Sequence, residues 1–345
     1  MSRTRVYFPG TMWPFIEFAR PIIEPVAEVV VQPDRILRGD DLTAVLTGVD
    51  GAILTAYEPL PREVLQAAAP RLRVLSKYGV GIETIDLEAA TELGIPVTNT
   101  PGANSLGVAE HAVALMLASL RRVRELDRLV REGRWNDARK LIGGDFEGST
   151  LGLVGYGNVG QLVGRRAAAL GMRVLAYDPY QPAERVAATG AEKAEDLDSM
   201  LAVADVVSLH MVVTAQTRGM FDGARFARMK PGAVFVNTAR AALVDQDALI
   251  AALRSGHLAA AGIDVPDPEP LGAVSPLFEV ENLLITPHHA GTTIRTRERT
   301  LTQAAENLVL LLEGRLPDVG LVNPEVRERF EALTRARASD GAARA

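Results

Sequence analysis

Leu151-Gly-Leu-Val-Gly155-Tyr-Gly157-Asn-Val-Gly160 decides the fold. Its apolar opening reads as a buried strand, and G-x-G-x-x-G then leads into helix-forming residues. Gly155 permits the tight turn. Gly157 lets backbone come close to a pyrophosphate, and Gly160 lets the helix pack against the strand. The first N–H groups of that helix, at Asn158 and Val159, suit a diphosphate. Glycine patterns alone are weakly specific, so the surroundings matter. The next strand ends in an acid, Asp178, in Val174-Leu-Ala-Tyr-Asp178-Pro, 18 residues beyond Gly160. A carboxylate there accepts hydrogen bonds from ribose hydroxyls and repels a 2′-phosphate. The expected cofactor is therefore NAD rather than NADP. The plainer reading of Asp178, as a cap on a strand-to-turn junction, is outweighed by the complete context.

Outward from this turn, short β-like runs alternate with helical stretches in both directions. Downstream strands are expected at 151–154, 173–177, 205–209, 233–236, 259–263 and 283–285. Upstream they are expected at 5–8, 26–31, 51–54, 73–76 and 96–98. Helices fit between, including one long helix from Ser105 to about Arg134 and a closing one from Ile294 to about Glu313. Alternation of this kind predicts βαβ units. The fold class is α/β, with two doubly wound parallel sheets, one of five strands and one of six. The expected division is a flavodoxin-like substrate domain (1–101 plus 291–325), a Rossmann NAD-binding domain (102–290) and a tail (326–345), frayed beyond Ala338. Ligands in such sheets lie at the carboxyl ends of the strands, so an interdomain cleft is expected.

Three residues with chemistry follow strands of the second sheet. Arg240 comes in Asn237-Thr-Ala-Arg, Glu269 in Asp264-Val-Pro-Asp-Pro-Glu, and His288 in Thr286-Pro-His. The topology brings them to one edge. A histidine can take an alcohol's proton as hydride leaves carbon, since its pKa lies near neutrality. A glutamate beside it fixes its tautomer and raises its pKa. An arginine binds a carboxylate through two parallel hydrogen bonds. Taken singly, each has an ordinary explanation as a surface or loop residue. Together, beside the glycine turn, they form a set for oxidising an alcohol next to a carboxylate, with no metal required.

Composition removes competing chemistries. The 345 residues contain no cysteine, which excludes disulfides, thiolate zinc, cysteine-ligated iron–sulfur clusters and a cysteine nucleophile. A net charge of −6 provides no basic field for nucleic acid or an anionic membrane. The first residues lack a signal-peptide core. No apolar run approaches the 18 residues of a membrane span. A cytoplasmic location is expected.

These residues give the chain a resemblance to the D-isomer-specific 2-hydroxyacid dehydrogenases, especially members like D-3-phosphoglycerate dehydrogenase. It runs from about Gly51 to about Asn323. Its motifs are Lys77-Tyr-Gly-Val-Gly-Ile-Glu-Thr-Ile-Asp, Val97-Thr-Asn-Thr-Pro-Gly, Val108-Ala-Glu-His, the glycine turn, Asn237-Thr-Ala-Arg and Pro287-His288. The resemblance implies that Arg240 binds the substrate carboxylate, His288 is the acid/base and Glu269 supports it. It implies that Asp264 holds the nicotinamide carboxamide. Cofactor contacts are implied for Thr238, Ala239 and Gly291. The segment Lys77, Tyr78, Gly79, Val80 and Gly81 is implied to bind substrate, partly through backbone N–H groups. A homodimer, formed through the cofactor domain and the helix at 105–134, is also implied.

Some positions depart from the family pattern. The stretch after His210 lacks a frequent proline, Ala241 replaces a frequent glycine, and Pro266 replaces a frequent aromatic. His289 stands where an apolar residue is common. His288 keeps the register after proline, so His289 reads as structural or pocket-shaping. His111 reads as a packed or interface histidine. His210 reads equally as a strand-end or a cofactor-side residue. Trp13 and Phe15 read as core. Thr55 stands where phosphoglycerate-type members often carry arginine, and Glu58 would repel phosphate if it faced inward. The chain also ends early for a C-terminal serine-sensing domain. A hydroxypyruvate- or glyoxylate-like acid, or a sugar acid, is thus favoured slightly over 3-phosphoglycerate. The contrasting reading is an NAD(H)-sensing corepressor-like protein on the same scaffold.

Overall fold

A computed structural model describes residues 3–32 and 35–343; side chains are described up to residue 336. The chain divides into two compact units, 1–104 with 293–345, and 105–292.

The first unit contains β1 (Arg5–Phe8), β2 (Glu28–Val31), β3 (Gly51–Leu54), β4 (Val74–Lys77) and β5 (Val97–Thr98). They form one parallel sheet in the order β2-β1-β3-β4-β5. Alternate residues enter opposite cores, as the two-residue period of a strand requires. Tyr7, Ala52, Leu54 and Leu75 join one cluster, with helices Gly39–Leu46, Arg62–Ala68 and Leu87–Glu92. Val6, Phe8, Ile53 and Val74 join the other, where Leu301, Ala304 and Leu308 of the helix Ile294–Leu312 cover the sheet. Ser76 ties that helix down by donating to the Ala304 carbonyl at 2.8 Å.

The second unit contains β6 (Thr150–Val154), β7 (Arg173–Tyr177), β8 (Glu192–Lys193), β9 (Val206–Leu209), β10 (Ala233–Asn237), β11 (Leu258–Ile263) and β12 (Leu283–Ile285). Their order is β12-β11-β10-β9-β6-β7-β8, again parallel. Direction reverses between β6 and β9, the switch point at which dinucleotides bind in doubly wound sheets. The sheet is thus one strand wider than the sequence suggested. The added strand, β8, is two charged residues long and carries no hydrophobic signal.

Two further expectations are corrected. The single helix from Ser105 to Arg134 is three: Ser105–Leu120, Val123–Arg131 and Trp135–Ala138. Its apolar face ends at Leu120. Arg122 then adopts a left-handed φ of 53°, and the Leu120 carbonyl accepts from the Gly144 N–H at 2.9 Å as the chain folds back. The tail is also not frayed at Ala338. A helix runs from Arg327 to Ala343, anchored by Phe330 in the first unit's core. The final two tail residues lie outside the described part.

Candidate active site

The glycine turn has the local geometry its sequence requires. Gly155 has φ +92°, and a Cβ there would lie 2.6 Å from the His210 carbonyl oxygen, across the switch point. A Cβ on Gly160 would lie 2.4 Å from the Gly155 carbonyl oxygen. Gly157 differs: a Cβ there would meet nothing within 4 Å. The turn is crowded on the protein side and open at Gly157, the residue expected to admit a diphosphate. Asn158 and Val159 begin the helix Asn158–Ala169 behind it. Thr238, which follows β10, has a buried hydroxyl with no partner among the described residues. These features fit a dinucleotide.

Asp178 caps the strand-to-turn junction, as its plainer reading has it, and also holds the glycine turn. One carboxylate oxygen accepts from the Tyr180 N–H at 2.9 Å, closing the turn after β7. The other accepts from the Tyr156 N–H at 2.8 Å, fixing the glycine turn to the neighbouring strand end.

Beyond β10, β11 and β12 the three expected side chains emerge. His288 Nδ1 lies 2.8 Å from Glu269 Oε2, with the side chains 48% and 38% exposed. The bond engages Nδ1 and not Nε2, the other ring nitrogen. Hydrogen bonding to Glu269 raises the His288 pKa above its ordinary 6.5. Burial opposes this, the negative charges of Glu269 and Asp264 add to it, and the Arg240 charge subtracts. Arg240 is half-buried and donates to the Ala239 carbonyl at 2.7 Å, while its own carbonyl accepts from Asn237 at 2.9 Å. Ala239 in turn donates its N–H to the Asn237 side chain at 2.9 Å.

His288 stands in an uncommon backbone state, φ +52°, which costs a non-glycine residue energy. Asp264 holds it there. The His288 N–H donates to the Asp264 backbone carbonyl at 2.7 Å. The N–H groups of His289 and Ala290 donate to the two carboxylate oxygens at 2.7 and 2.8 Å. Asp264 is fully buried. Burial pushes its pKa up, yet bonds from His111, Thr286 and these two N–H groups outweigh that and hold it below the ordinary value. Gly291 follows directly on this turn. The His289 side chain is exposed. Gln246 brackets Asp267 from both sides, at 2.8 and 3.0 Å, and so steadies the loop that carries Glu269. Gln246, Thr286 and the anchoring of Asp264 had no signature in the sequence, because their partners are distant in the chain.

His210 is desolvated, and its pKa falls to about 3. It is a neutral imidazole, 2.9 Å from Ser208 Oγ.

In the first unit, the Lys77–Gly81 segment separates into two kinds of residue. Lys77 is 2% exposed. Its ammonium donates to the Thr55 carbonyl and, at 2.8 Å, to Thr84 Oγ1. Desolvation lowers its pKa to about 8, against the pull of Glu58 and Glu83. Glu58 is fully buried, with Oε2 accepting from the Thr55 N–H at 2.8 Å and Oε1 without a partner among the described residues. Tyr78 is half-buried and its pKa is raised by desolvation. Gly79, Val80 and Gly81 form the outward loop. The Gly79 N–H donates to Thr100 at 3.0 Å, and Val80 is exposed. Trp13 and Phe15 pack into the core beneath Arg20 and Arg297.

Comparison with known proteins finds matches over most of the chain. Residues 113–290 match the family model described as "D-isomer specific 2-hydroxyacid dehydrogenase, NAD binding domain". A glyoxylate reductase of Korarchaeum cryptofilum is 40% identical over 329 residues, covering 94% of this chain and 93% of its own. A D-3-phosphoglycerate dehydrogenase of Mycobacterium leprae is 41% identical over 301 residues, covering 85% of this chain. The chain spans only 56% of that relative's length. The crystal structure of the TT0316 protein from Thermus thermophilus superposes with a TM-score of 0.80 at 39% identity, covering 92% of this chain and all of the other.

Proposed function

The chain belongs to the D-isomer-specific 2-hydroxyacid dehydrogenase family, and from that premise we propose that it interconverts a D-2-hydroxy acid and its 2-keto acid. The pairing of His288 Nδ1 with Glu269 at 2.8 Å, on the strand-end edge that also carries Arg240, supports this reading most directly. When bound, NAD supplies the hydride acceptor. The chain's own residues do the rest. Gly155, Gly157, Asn158, Val159 and Gly160 receive the diphosphate. Asp178 takes the ribose hydroxyls, and Thr238, Ala239 and Gly291 line the nicotinamide side, which the buried Asp264 shapes through the turn it holds. Arg240 grips the substrate carboxylate. His288 Nε2 removes the hydroxyl proton in oxidation and returns it in reduction, and Glu269 stabilises the imidazolium formed.

Within this class we favour a small, unphosphorylated acid of the hydroxypyruvate or glyoxylate kind. A phosphate calls for nearby cations. Thr55 supplies none, Lys77 is buried with two of its three ammonium donors given to Thr55 and Thr84, and Glu58 adds a buried carboxyl bonded to Thr55. The glyoxylate reductase similarity, nearly end to end, points the same way. A homodimer fits the exposed apolar side chains of Val123, Val130, Trp135 and Ile142 in the stretch after Leu120. Following NADH oxidation with a panel of 2-keto acids tests the whole reading. Turnover of glyoxylate or hydroxypyruvate above phosphohydroxypyruvate is expected. Tight NADH binding without turnover of any of them would instead mark a sensor.

A further inference from the structure

His111 has no part in the roles above, yet it lies at the end of a hydrogen-bonded series that terminates at His288. It sits on the helix Ser105–Leu120, with Nε2 2.9 Å from Thr286 Oγ1 and 3.5 Å from Asp264 Oδ1. Donor and acceptor roles follow from the chemistry. Thr286 Oγ1 lies 2.5 Å from Asp264 Oδ1, and an ionised carboxylate only accepts. The threonine proton is therefore committed to Asp264. The lone pairs of Thr286 then accept from His111, so His111 carries its proton on Nε2. From Asp264 the series continues to the backbone of His288, His289 and Ala290.

The base of the series is rigid. A Cβ on Gly262, two residues before Asp264, would lie 3.0 Å from Leu115 Cβ and 3.1 Å from Ser119 Oγ. The helix therefore sits as close to β11 as glycine allows, and the height of His111 over Thr286 is set by that contact. The turn it supports is strained at His288, and such a conformation persists only where several contacts determine it.

We infer that His111 is a positioning residue: acting through Thr286 and Asp264, it orients the left-handed turn that presents His288 to Glu269. The inference rests on the proposed role of His288, so its test includes a measurement that needs no substrate. His111→Leu removes the donor. His111→Gln retains an N–H donor at similar reach. The expected outcome for His111→Leu is a fall in kcat of about tenfold, as loss of a hydrogen bond to a charge-bearing group predicts. KM for the keto acid and Kd for NADH should stay within about twofold, since His111 is assigned to neither ligand and bonds only Thr286 and Asp264. His111→Gln should recover most of kcat.

The second measurement uses free protein labelled with 15N-histidine, in which five histidines can be followed through a pH titration. The groups facing the His288 ring are Glu269, Asp264 and Arg240. A ring less well presented to Glu269 titrates lower. The His288 midpoint should therefore drop in His111→Leu and return in His111→Gln. An unchanged midpoint in His111→Leu overturns the inference. So does an equal loss in both variants accompanied by an equal fall in Tm, which would make His111 a packing residue only. Were wild type inactive on every keto acid, the functional reading would fail while the titration still decided the linkage.

Discussion

Both sheets end in ionisable groups at their carboxyl edges, and the two edges treat them in opposite ways. After β12 in the second unit, His288 is half exposed, paired with one carboxylate, and raised in pKa. After β4 in the first unit, Lys77 is sealed, committed to two protein oxygens, and lowered in pKa. The topology is the same in kind. The difference lies in solvent access and in donor capacity left over. An imidazole with a spare nitrogen at the surface can exchange a proton with a ligand. An ammonium buried in the protein, with two of its three donors bonded to protein oxygens, supports a loop. Proximity to a strand end does not by itself make a group reactive.

Breaking the comparison at its reactive side should have the largest effect. His288→Gln is expected to lower kcat by more than roughly 100-fold and leave NADH affinity nearly intact, as measured by steady-state kinetics and fluorescence titration. Retained activity would move the proton transfer elsewhere.

The sealed side should respond through stability. Lys77 has a folded pKa of about 8 against 10.5 for its ordinary value, so the unfolded chain binds the extra proton across that window. Stability contributed here is lost as pH falls from 10.5 towards 8 and recovers as pH rises. Between pH 7.5 and 10, urea denaturation should show a gain of roughly 2 kcal/mol in wild type relative to Lys77→Met. Equal slopes in the two proteins would mean that the ammonium is not sealed.

Smaller effects sharpen the contrast within the second unit. Asp178→Ala should reduce the preference for NAD over NADP by about tenfold, the scale of one charged hydrogen bond. If wild type already prefers NADPH, the ribose assignment fails. His289→Gln should change kcat by less than about threefold, because the backbone N–H of His289, not its ring, engages Asp264. A large loss there would transfer the catalytic register from His288 to His289.

Legibility in the sequence followed contact distance. The glycine turn, Asp178 and the strands around them were readable because each signal is local: a tight turn, an apolar run, an acid at a strand end. The same holds for Arg240, Glu269 and His288, each placed one loop beyond a recognisable strand. Residues whose meaning depends on distant partners were not readable. Thr286 and His111 are 175 positions apart. Gln246 works on a loop 21 residues away. The buried ammonium of Lys77 looks in sequence like any cation beside a glycine loop. The break at Arg122 leaves no sequence signal because helix-favouring residues continue past it, and β8 leaves none because two charged residues carry no periodicity.

The left-handed backbone at His288 has a consequence for variation. Glycine adopts that conformation without steric cost, so His288→Gly would relax the turn while deleting the ring. At this position backbone strain and the side chain's bonding pull in opposite directions. Relief of the strain is set against the lost bond to Glu269, and a library screened only by melting temperature has no other reason to keep the imidazole.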